Sequence, residues 1–307
     1  MTQTILITGI NGQVGGALAQ AFALQAGTNA VGKMCLPNIV KLGRAELDLS
    51  NTDAIREVVQ RIKPHIIINP AAYTAVDKAE TEPELAYAIN ATAPQVFAEE
   101  AAKLNAKLIH FSTDYVYEGN QAEAYVETDA TNPLSVYGKS KLAGEIAIEK
   151  TGVQHLILRT AWVYGATGKN FLNTILRLAK ERDALRIVAD QFGTPTSSTS
   201  IAKAVLALLP QWQTQQGVYH LVNAGETSWH GFATAIVEMY SALGITPALK
   251  TQLADIAAIA TADYPTPAAR PANSRLNTAK LSQDFNVELC GWQKALSLEL
   301  EALKHTV

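Results

Sequence analysis

A chain of 307 residues, 48% hydrophobic and 17% charged, is too apolar to be disordered and long enough for one large α/β domain or a domain plus a smaller lobe. Its formal net charge is −3 and no basic run stands out, which sets nucleic acid and anionic membrane surfaces aside as partners. No stretch reaches the roughly 20 apolar residues of a membrane helix, and Met1-Thr2-Gln3-Thr4 runs straight into Ile5-Leu6-Ile7 with no basic leader. A cytoplasmic protein without a membrane partner is therefore expected. Cys35 and Cys290 lack CxxC spacing and the six histidines lack metal spacing, so neither a disulfide framework nor a metal site is expected.

In chain order, short apolar runs alternate with longer helical patterns, the signature of βαβ units. Thr4 to Thr8 reads as a strand and Gln13 to about Gln25 as a helix. A second strand, Ile39 to Leu42, is delayed by the stretch from Gly27 to Asn38. Asp53 to Ile62 is helical, Pro64 breaks it, and His65 to Asn69 is the next strand. Glu84 to Leu104 reads as one long helix before the strand Lys107 to Ser112. Tyr137 to Lys150 is helical and His155 to Arg159 a strand.

Beyond Arg159 the rhythm changes. Helices are expected over Asn170 to Arg182 and Ser200 to Leu209, with a loop from Asp190 to Thr196 between them. Val218 to Asn223 is a late strand, Thr227 to Leu243 a helix, and Thr261 to Ser274 has no clear period. Gly291 to Lys304 closes the chain as a helix. The expected fold is α/β: a Rossmann-type, doubly wound parallel sheet with a smaller C-terminal α/β substrate lobe. The dinucleotide-binding domain is read as residues 1–165 with returning segments near 190–223, and the lobe as 166–189 and 224–307.

Two motifs carry chemistry. Gly9-x-x-Gly12-x-x-Gly15 lies between the first strand and the first helix. Glycines there let a pyrophosphate approach the backbone, and the helix amino end offers it free N–H groups. The spacing differs from GxGxxG, so the position at the first βα turn carries the argument. Tyr137-x-x-x-Lys141 places a phenol and an ammonium on one helix face, where the cation is expected to lower the phenol's pKa towards neutrality. Thr113 ends the preceding strand, where the active sites of open α/β sheets lie. The turn Leu42-Gly43-Arg44 has no acid for the ribose hydroxyls of NAD, and Arg44 favours NADPH, with NADH as an alternative.

Together these motifs resemble the short-chain dehydrogenase/reductase superfamily, in its extended, nucleotide-sugar-modifying branch. Within it the chain is similar to the dTDP-4-dehydrorhamnose reductase family over essentially its whole length. The similarity rests on Asn69-Pro70-Ala71-Ala72-Tyr73-Thr74-Ala75-Val76-Asp77, Ser112-Thr113-Asp114-Tyr115, Tyr137-Gly138-Lys139, Arg159-Thr160-Ala161-Trp162, Asp190 to Thr196, and Arg270-Pro271-Ala272-Asn273-Ser274. The resemblance implies reduction of the 4-keto group of a nucleotide-linked deoxysugar, with Thr113, Tyr137 and Lys141 as the catalytic trio. It implies a cofactor site from Gly9, Asn11, Gly12, Gln13, Val14, Arg44, Asp48, Leu49, Ala71, Ala72 and Tyr73, completed by Tyr137 and Lys141. For the nucleotide sugar it implies Thr74, Val76, Asp77, Thr113, Asp114, Trp162, Asn170 and Arg270, the last two at the pyrophosphate.

Two features qualify the resemblance, and two alternative readings stand beside it. Sugar-nucleotide dehydratases of this fold place an acid directly after Thr-Asp, where this chain has Tyr115, so simple reduction is favoured. Some relatives dimerise around Mg²⁺ held by a glutamate just after the glycine motif, where this chain has Ala17, so no metal is expected and a monomer or a homodimer remain alternatives. Another nucleotide-sugar reductase or epimerase of the branch is an alternative reading. So is a non-catalytic dinucleotide-binding regulatory subunit, like the homologue that binds methionine adenosyltransferase.

Overall fold

The computed structural model describes residues 3–28 and 37–304. Cys35 and most of the stretch between Gly27 and Asn38 lie outside the described residues. Among the described residues no helix is long and apolar enough to cross a membrane.

The first half runs β1 (Thr4–Ile7), α1 (Gln13–Thr28), β2 (Asn38–Lys41), α2 (Thr52–Ile62) and β3 (Ile66–Asn69). Asn51 caps α2 by accepting from the Ala54 N–H at 3.0 Å, and Lys63 ends it in a left-handed conformation directly before Pro64. Two short helices follow, α3 (Val76–Ala79) and α4 (Pro83–Tyr87), then a wide turn over Ala88–Thr92, α5 (Ala93–Lys103) and β4 (Lys107–Thr113). After these come α6 (Val136–Lys150), capped by Ser135, and β5 (His155–Thr160). The single helix expected over Glu84 to Leu104 is thus interrupted. At the break the i→i+5 turn brings Asn90 inward, and its side chain clamps both backbone polar groups of Tyr73, at 2.8 and 3.0 Å.

The second half runs β6 (Val163–Tyr164), α7 (Phe171–Glu181), β7 (Leu185–Val188), β8 (Phe192–Gly193), β9 (Thr196–Ser197), α8 (Ser198–Leu208) and β10 (Gly217–His220). Then come β11 (Thr227–Ser228), α9 (Trp229–Ala242), β12 (Ile256–Ile259), β13 (Asn273–Ser274), α10 (Ala279–Phe285) and α11 (Trp292–Lys304). Sequence reading found neither β7 nor its partner β12, nor α10: four residues in each strand and seven in the helix are too few to separate from a loop.

The main sheet is six-stranded and parallel, in the order β10-β5-β4-β3-β1-β2. The chain leaves β1 for β2 on one side and returns to β3 on the other, so the topological switch lies between β1 and β3. Strand residues alternate between the two covered faces. Ile5, Ile7, Ile66, Ile68, Ile109 and Leu156 pack under α1 and α8, whereas Leu6, Ile67, Leu108 and Ile157 pack under α2, α5 and the end of α6. A separate core, from α7, α9, α11, β7 and β12, makes the lobe. Leu281, Phe285 and Val287 of the expected lobe instead pack into the core of the main sheet. Their stretch returns to the first half because its apolar side chains cover β10 and α8 rather than α9.

Candidate active site

A cleft of about 620 Å³ opens over the carboxyl ends of the central strands, at the β1–β3 switch and between sheet and lobe. Its floor is the glycine turn. Gly9 has φ +59°, and a Cβ there would come within 2.9 Å of Ala71; a Cβ on Gly15 would lie 2.1 Å from the Gly9 carbonyl oxygen. The turn is therefore pressed against both the β3 loop and its own helix, and the amino end of α1 faces the cleft. Such a cradle fits a dinucleotide pyrophosphate, because no side chain stands between the backbone N–H groups and the ligand. Asn11, Gly12, Gln13 and Val14 line it, followed along β2 by Leu42, Gly43, Arg44, Asp48 and Leu49.

Asp48 is exposed, and hydrogen bonds from the backbone and hydroxyl of Ser50 hold its carboxyl below the ordinary range. Close to the β2 turn there is, after all, an acid. Glu46 folds back so that Oε2 accepts from the Gly43 N–H at 2.8 Å. Sequence reading missed it because the residue is three positions beyond the turn. Its carboxylate is engaged as a cap and does not line the cleft.

Ala71, Ala72, Tyr73, Thr74 and Val76 form the next stretch of wall. Asp77 does not. It turns away to grip Arg270 in a two-pronged ion pair, Nη1–Oδ1 at 3.0 Å and Nη2–Oδ2 at 2.8 Å, and it also accepts from the Ala268 N–H. The Arg270 guanidinium beside it holds the Asp77 carboxyl below its usual value. These two expected substrate residues thus tie the β3 loop to the C-terminal segment and present themselves to each other.

Thr113, Asp114, Tyr115, Tyr137 and Lys141 converge on the far wall. Gly138 allows this, since a Cβ there would meet the Tyr115 carbonyl oxygen at 2.2 Å. The Thr113 hydroxyl donates to Asp114 Oδ1 at 2.9 Å and accepts from the Tyr115 N–H at 3.2 Å. Tyr115 meets Tyr137 edge-on, ring centroids 5.4 Å apart. Lys141 is fully buried, its ammonium directed at the Phe111 carbonyl oxygen (2.6 Å) and His110 Nε2 (3.1 Å). Burial lowers Lys141 to about 8. The expected lowering of the Tyr137 phenol is overturned: burial pushes it up to about 12, only partly offset by Thr113. Lys141 heads into the sheet rather than at the phenol, so desolvation of a phenolate dominates. Tyr137 is consequently a neutral phenol, a proton donor rather than a base.

Trp162 closes the cleft on the lobe side. Its backbone is left-handed, φ +49°, and its ring lies flat on Trp229, centroids 3.5 Å apart. Gly193 makes room: a Cβ there would be 2.6 Å from Trp162 Cε2. Asn170 is absent from the wall. It caps α7, Oδ1 accepting from the Asn173 N–H at 3.0 Å, while Nδ2 donates to the Gly165 carbonyl at 2.8 Å and to Gln13 Oε1 at 3.2 Å. A pyrophosphate role is not what this geometry offers, because the amide is spent on holding the 165–170 loop to α1. Among the expected residues, then, all but Asp77, Asn170 and Arg270 line one cleft.

The structure adds Thr8, Tyr115, Lys169 and Trp229 to it. Thr8 and Tyr115 adjoin residues singled out from sequence; Lys169 and Trp229 carried no local signal. Among the described residues no group of three or more His, Cys, Asp or Glu is placed to hold a metal ion.

The family whose model matches residues 3–305 is the RmlD substrate binding domain. The chain belongs to this family. A relative named dTDP-4-dehydrorhamnose reductase from Burkholderia thailandensis is 43% identical over 301 residues, 96% of this chain and 97% of its own. Another of that name from Escherichia coli K12 is 43% identical over 302 residues, 97% of each chain. The solved dTDP-4-dehydrorhamnose reductase from Bacillus anthracis, in complex with NADP, is 34% identical with a TM-score of 0.86, covering 98% of this chain and all of that one.

Asp114 gives this RmlD-family chain a measurable pH signature. Burial lifts its carboxyl to about 6, against hydrogen bonds from Ser274 and Thr113 that pull it the other way. The folded chain therefore holds a proton up to about pH 6 that the unfolded chain releases near its ordinary value, so stability falls as pH rises through that window. Asp114→Asn keeps an acceptor for Thr113 and removes the buried charge. It should raise the melting temperature at about pH 7, by up to roughly 3 kcal/mol of stability, and lose that advantage near pH 4. A difference independent of pH in thermal melts would show that the charge is not what matters.

Proposed function

We propose that the chain is an NADPH-dependent oxidoreductase that reduces the 4-keto group of dTDP-4-dehydro-L-rhamnose to give dTDP-L-rhamnose, with NADH as an alternative reductant. One observation carries the reading. A neutral phenol, Tyr137, and the Thr113 hydroxyl share a cleft with a glycine cradle shaped for a pyrophosphate. The shared name of the relatives supports the substrate, and the NADP bound to the Bacillus anthracis protein supports the cofactor.

Gly9, Asn11, Gly12, Gln13 and Val14 would hold the dinucleotide phosphates, and Arg44, Asp48 and Leu49 its adenosine half. Ala71, Ala72 and Tyr73 leave space for the chain of the cofactor to cross β3, and Lys141, which lines the cleft, would anchor its far ribose by turning from the Phe111 carbonyl. When bound, NADPH supplies the hydride that becomes the new C4–H bond. Tyr137 donates its proton to the developing alkoxide, and Thr113, turned from Asp114, donates a hydrogen bond to the same oxygen. Thr74, Val76, Asp114 and the Trp162 ring shape the sugar site. Arg270 offers the two-pronged guanidinium suited to a diphosphate, for which Asp77 is the internal competitor. Tyr115, in place of an acid, leaves no group for water elimination, which favours plain reduction.

We place the dinucleotide-binding domain at residues 1–165 with returning segments near 190–223 and the substrate lobe at 166–189 and 224–307, with Leu281 to Val287 seated on the former. The reading is of a monomer or a homodimer. The cytoplasm, where NADPH is kept reduced, is its place of action.

The test is loss of NADPH absorbance with dTDP-4-dehydro-L-rhamnose generated in situ. Oxidation with formation of dTDP-L-rhamnose is expected; no oxidation of either reduced dinucleotide, by protein that binds NADPH, overturns the proposal. Cofactor choice has its own test. Arg44 lines the cleft beyond β2 and is exposed. Arg44→Ala should raise KM for NADPH about tenfold, the worth of one charged hydrogen bond to a 2′-phosphate, and leave KM for NADH near its starting value. Equal changes for both would remove Arg44 from phosphate recognition.

A further inference from the structure

The carboxyl-end rung of the main sheet carries an unusual row of buried polar side chains. Thr8, Asn69 and His110 follow β1, end β3 and interrupt β4 on the same face as Leu6, Ile67 and Leu108, and all three are at most 2% exposed. Asn69 and His110 are directly paired in the β3–β4 register. Their side chains are joined end to end: Thr8 Oγ1 to Asn69 Oδ1 at 2.6 Å, Asn69 Nδ2 to His110 Nδ1 at 3.2 Å, and His110 Nε2 to Lys141 Nζ at 3.1 Å. An apolar rung would be the default here; three polar residues in a row need a reason.

We propose that His110 is the positioning residue for Lys141, and that through Asn69 it links the protonation of Lys141 to Thr8 on the floor of the dinucleotide cleft. The inference rests on Lys141 serving the dinucleotide reaction proposed above. Hydrogen-bond accounting allows two arrangements. With Lys141 neutral, its amine accepts from His110 Nε2–H, Nδ1 accepts from the Asn69 amide, and Asn69 Oδ1 accepts from Thr8, which is the orientation observed. With Lys141 charged, the ammonium donates to Nε2, so the proton must reside on Nδ1. The Asn69 amide then turns over, accepting from Nδ1–H and donating to the Thr8 hydroxyl. In both, His110 stays uncharged, because a buried imidazolium beside an ammonium would be doubly disfavoured; burial first, then Lys141, hold it well below its ordinary value.

The groups around Lys141 support this assignment. His110 faces it from β4, and Glu145 acts on it from one turn further along α6, itself paired with Arg159 of β5. Tyr137 precedes it by one turn, and Asn69 and Thr8, from β3 and the end of β1, do not titrate. His110 is thus the only uncharged nitrogen acceptor among the described neighbours of the ammonium.

Two measurements test the proposal. In [¹⁵N]histidine-labelled wild type, with the signal assigned by its loss in His110→Gln, His110 should be neutral from about pH 5 to 9. It should carry its proton on Nδ1 at the acid end and shift it to Nε2 as Lys141 deprotonates; a charged ring or an unchanging Nε2–H form overturns the proposal. No sugar substrate is involved, so this outcome is independent of the proposed reaction. In NADPH titrations followed by fluorescence, the alkaline limb of Kd should move down by about one pH unit in His110→Phe, which removes the acceptor, and stay near wild type in His110→Gln, which restores one. An unmoved limb in a folded His110→Phe, or equal shifts in both variants, would reduce His110 to a packing residue.

Discussion

Tyr137→Phe should lower kcat about 10²–10⁴-fold, the worth of a positioned general acid, while NADPH binding and melting temperature stay close to wild type. The ring itself is held by contacts that do not involve the hydroxyl: the edge-on packing of Tyr115 at 5.4 Å and the turn that Gly138 permits. Phenylalanine keeps both, so geometry survives and only the proton is lost. No neighbour replaces that proton. The Thr113 hydroxyl is committed to Asp114 at 2.9 Å and is too weak an acid; burial pushes the Tyr115 phenol up even further than that of Tyr137. Lys141 is aimed at His110 and the Phe111 carbonyl. A folded Tyr137→Phe enzyme with near wild-type kcat would assign proton donation elsewhere. The control, Tyr115→Phe, leaves the ring pair intact and should change kcat little.

The residues most legible from sequence were those whose role is local. Gly9 and Gly15 announce a turn because only glycine tolerates a Cβ-free approach of 2.9 and 2.1 Å to backbone. Tyr137 and Lys141 share a helix face by spacing alone. What spacing cannot supply is where a long side chain ends: Lys141 follows the polar row into the sheet, and the sign of the Tyr137 shift reverses with it. Asn170 shows the same limit. It was expected as the first residue of a helix and, by resemblance, at the pyrophosphate, yet it stands one residue ahead of α7 and is its cap.

Long-range partners were legible only where a whole block marked them. Asp77 and Arg270 each stood in such a block, 193 positions apart, but nothing in either indicated that they would bind one another. Lys169 and Trp229 had no block at all and reach the cleft only because the lobe folds back over the sheet. The break in the helix at Ala88–Thr92 was invisible for a different reason. Ala88, Ile89 and Ala91 continue the helical pattern across it, and the wide turn aims Asn90 at Tyr73 and at Ser140 Oγ, 3.0 Å away. A Cβ on Gly144 would meet the Asn90 carbonyl oxygen at 2.1 Å, so the two helices are fitted to each other there.

The largest stability effect is expected at Glu145→Ala. Glu145 of α6 takes Arg159 of β5 in a two-pronged pair, Nε–Oε1 at 3.0 Å and Nη2–Oε2 at 2.5 Å, with both side chains 5% exposed or less. Arg159 also donates to Tyr117 Oη at 2.6 Å, whose oxygen lies 2.8 Å from His220 Nε2. The network bolts α6, and hence Tyr137 and Lys141, to the sheet edge formed by β5 and β10. Removing the carboxylate strands a guanidinium that cannot lose its proton and has no route to water. The cost should be about 3–5 kcal/mol, enough to lower the melting temperature by roughly ten degrees or more in a chain of this size. His220 cannot compensate: held down at about 3 by burial it stays neutral, and an imidazole brings no negative charge to Arg159 in any state. The double replacement Glu145→Leu with Arg159→Met removes both charges and fills the space, and it should recover most of the loss. Chemical denaturation of the two variants beside wild type decides it: if the double variant is as unstable as Glu145→Ala, the site depends on the pair's hydrogen bonds and shape, and the stranded charge is not the cause.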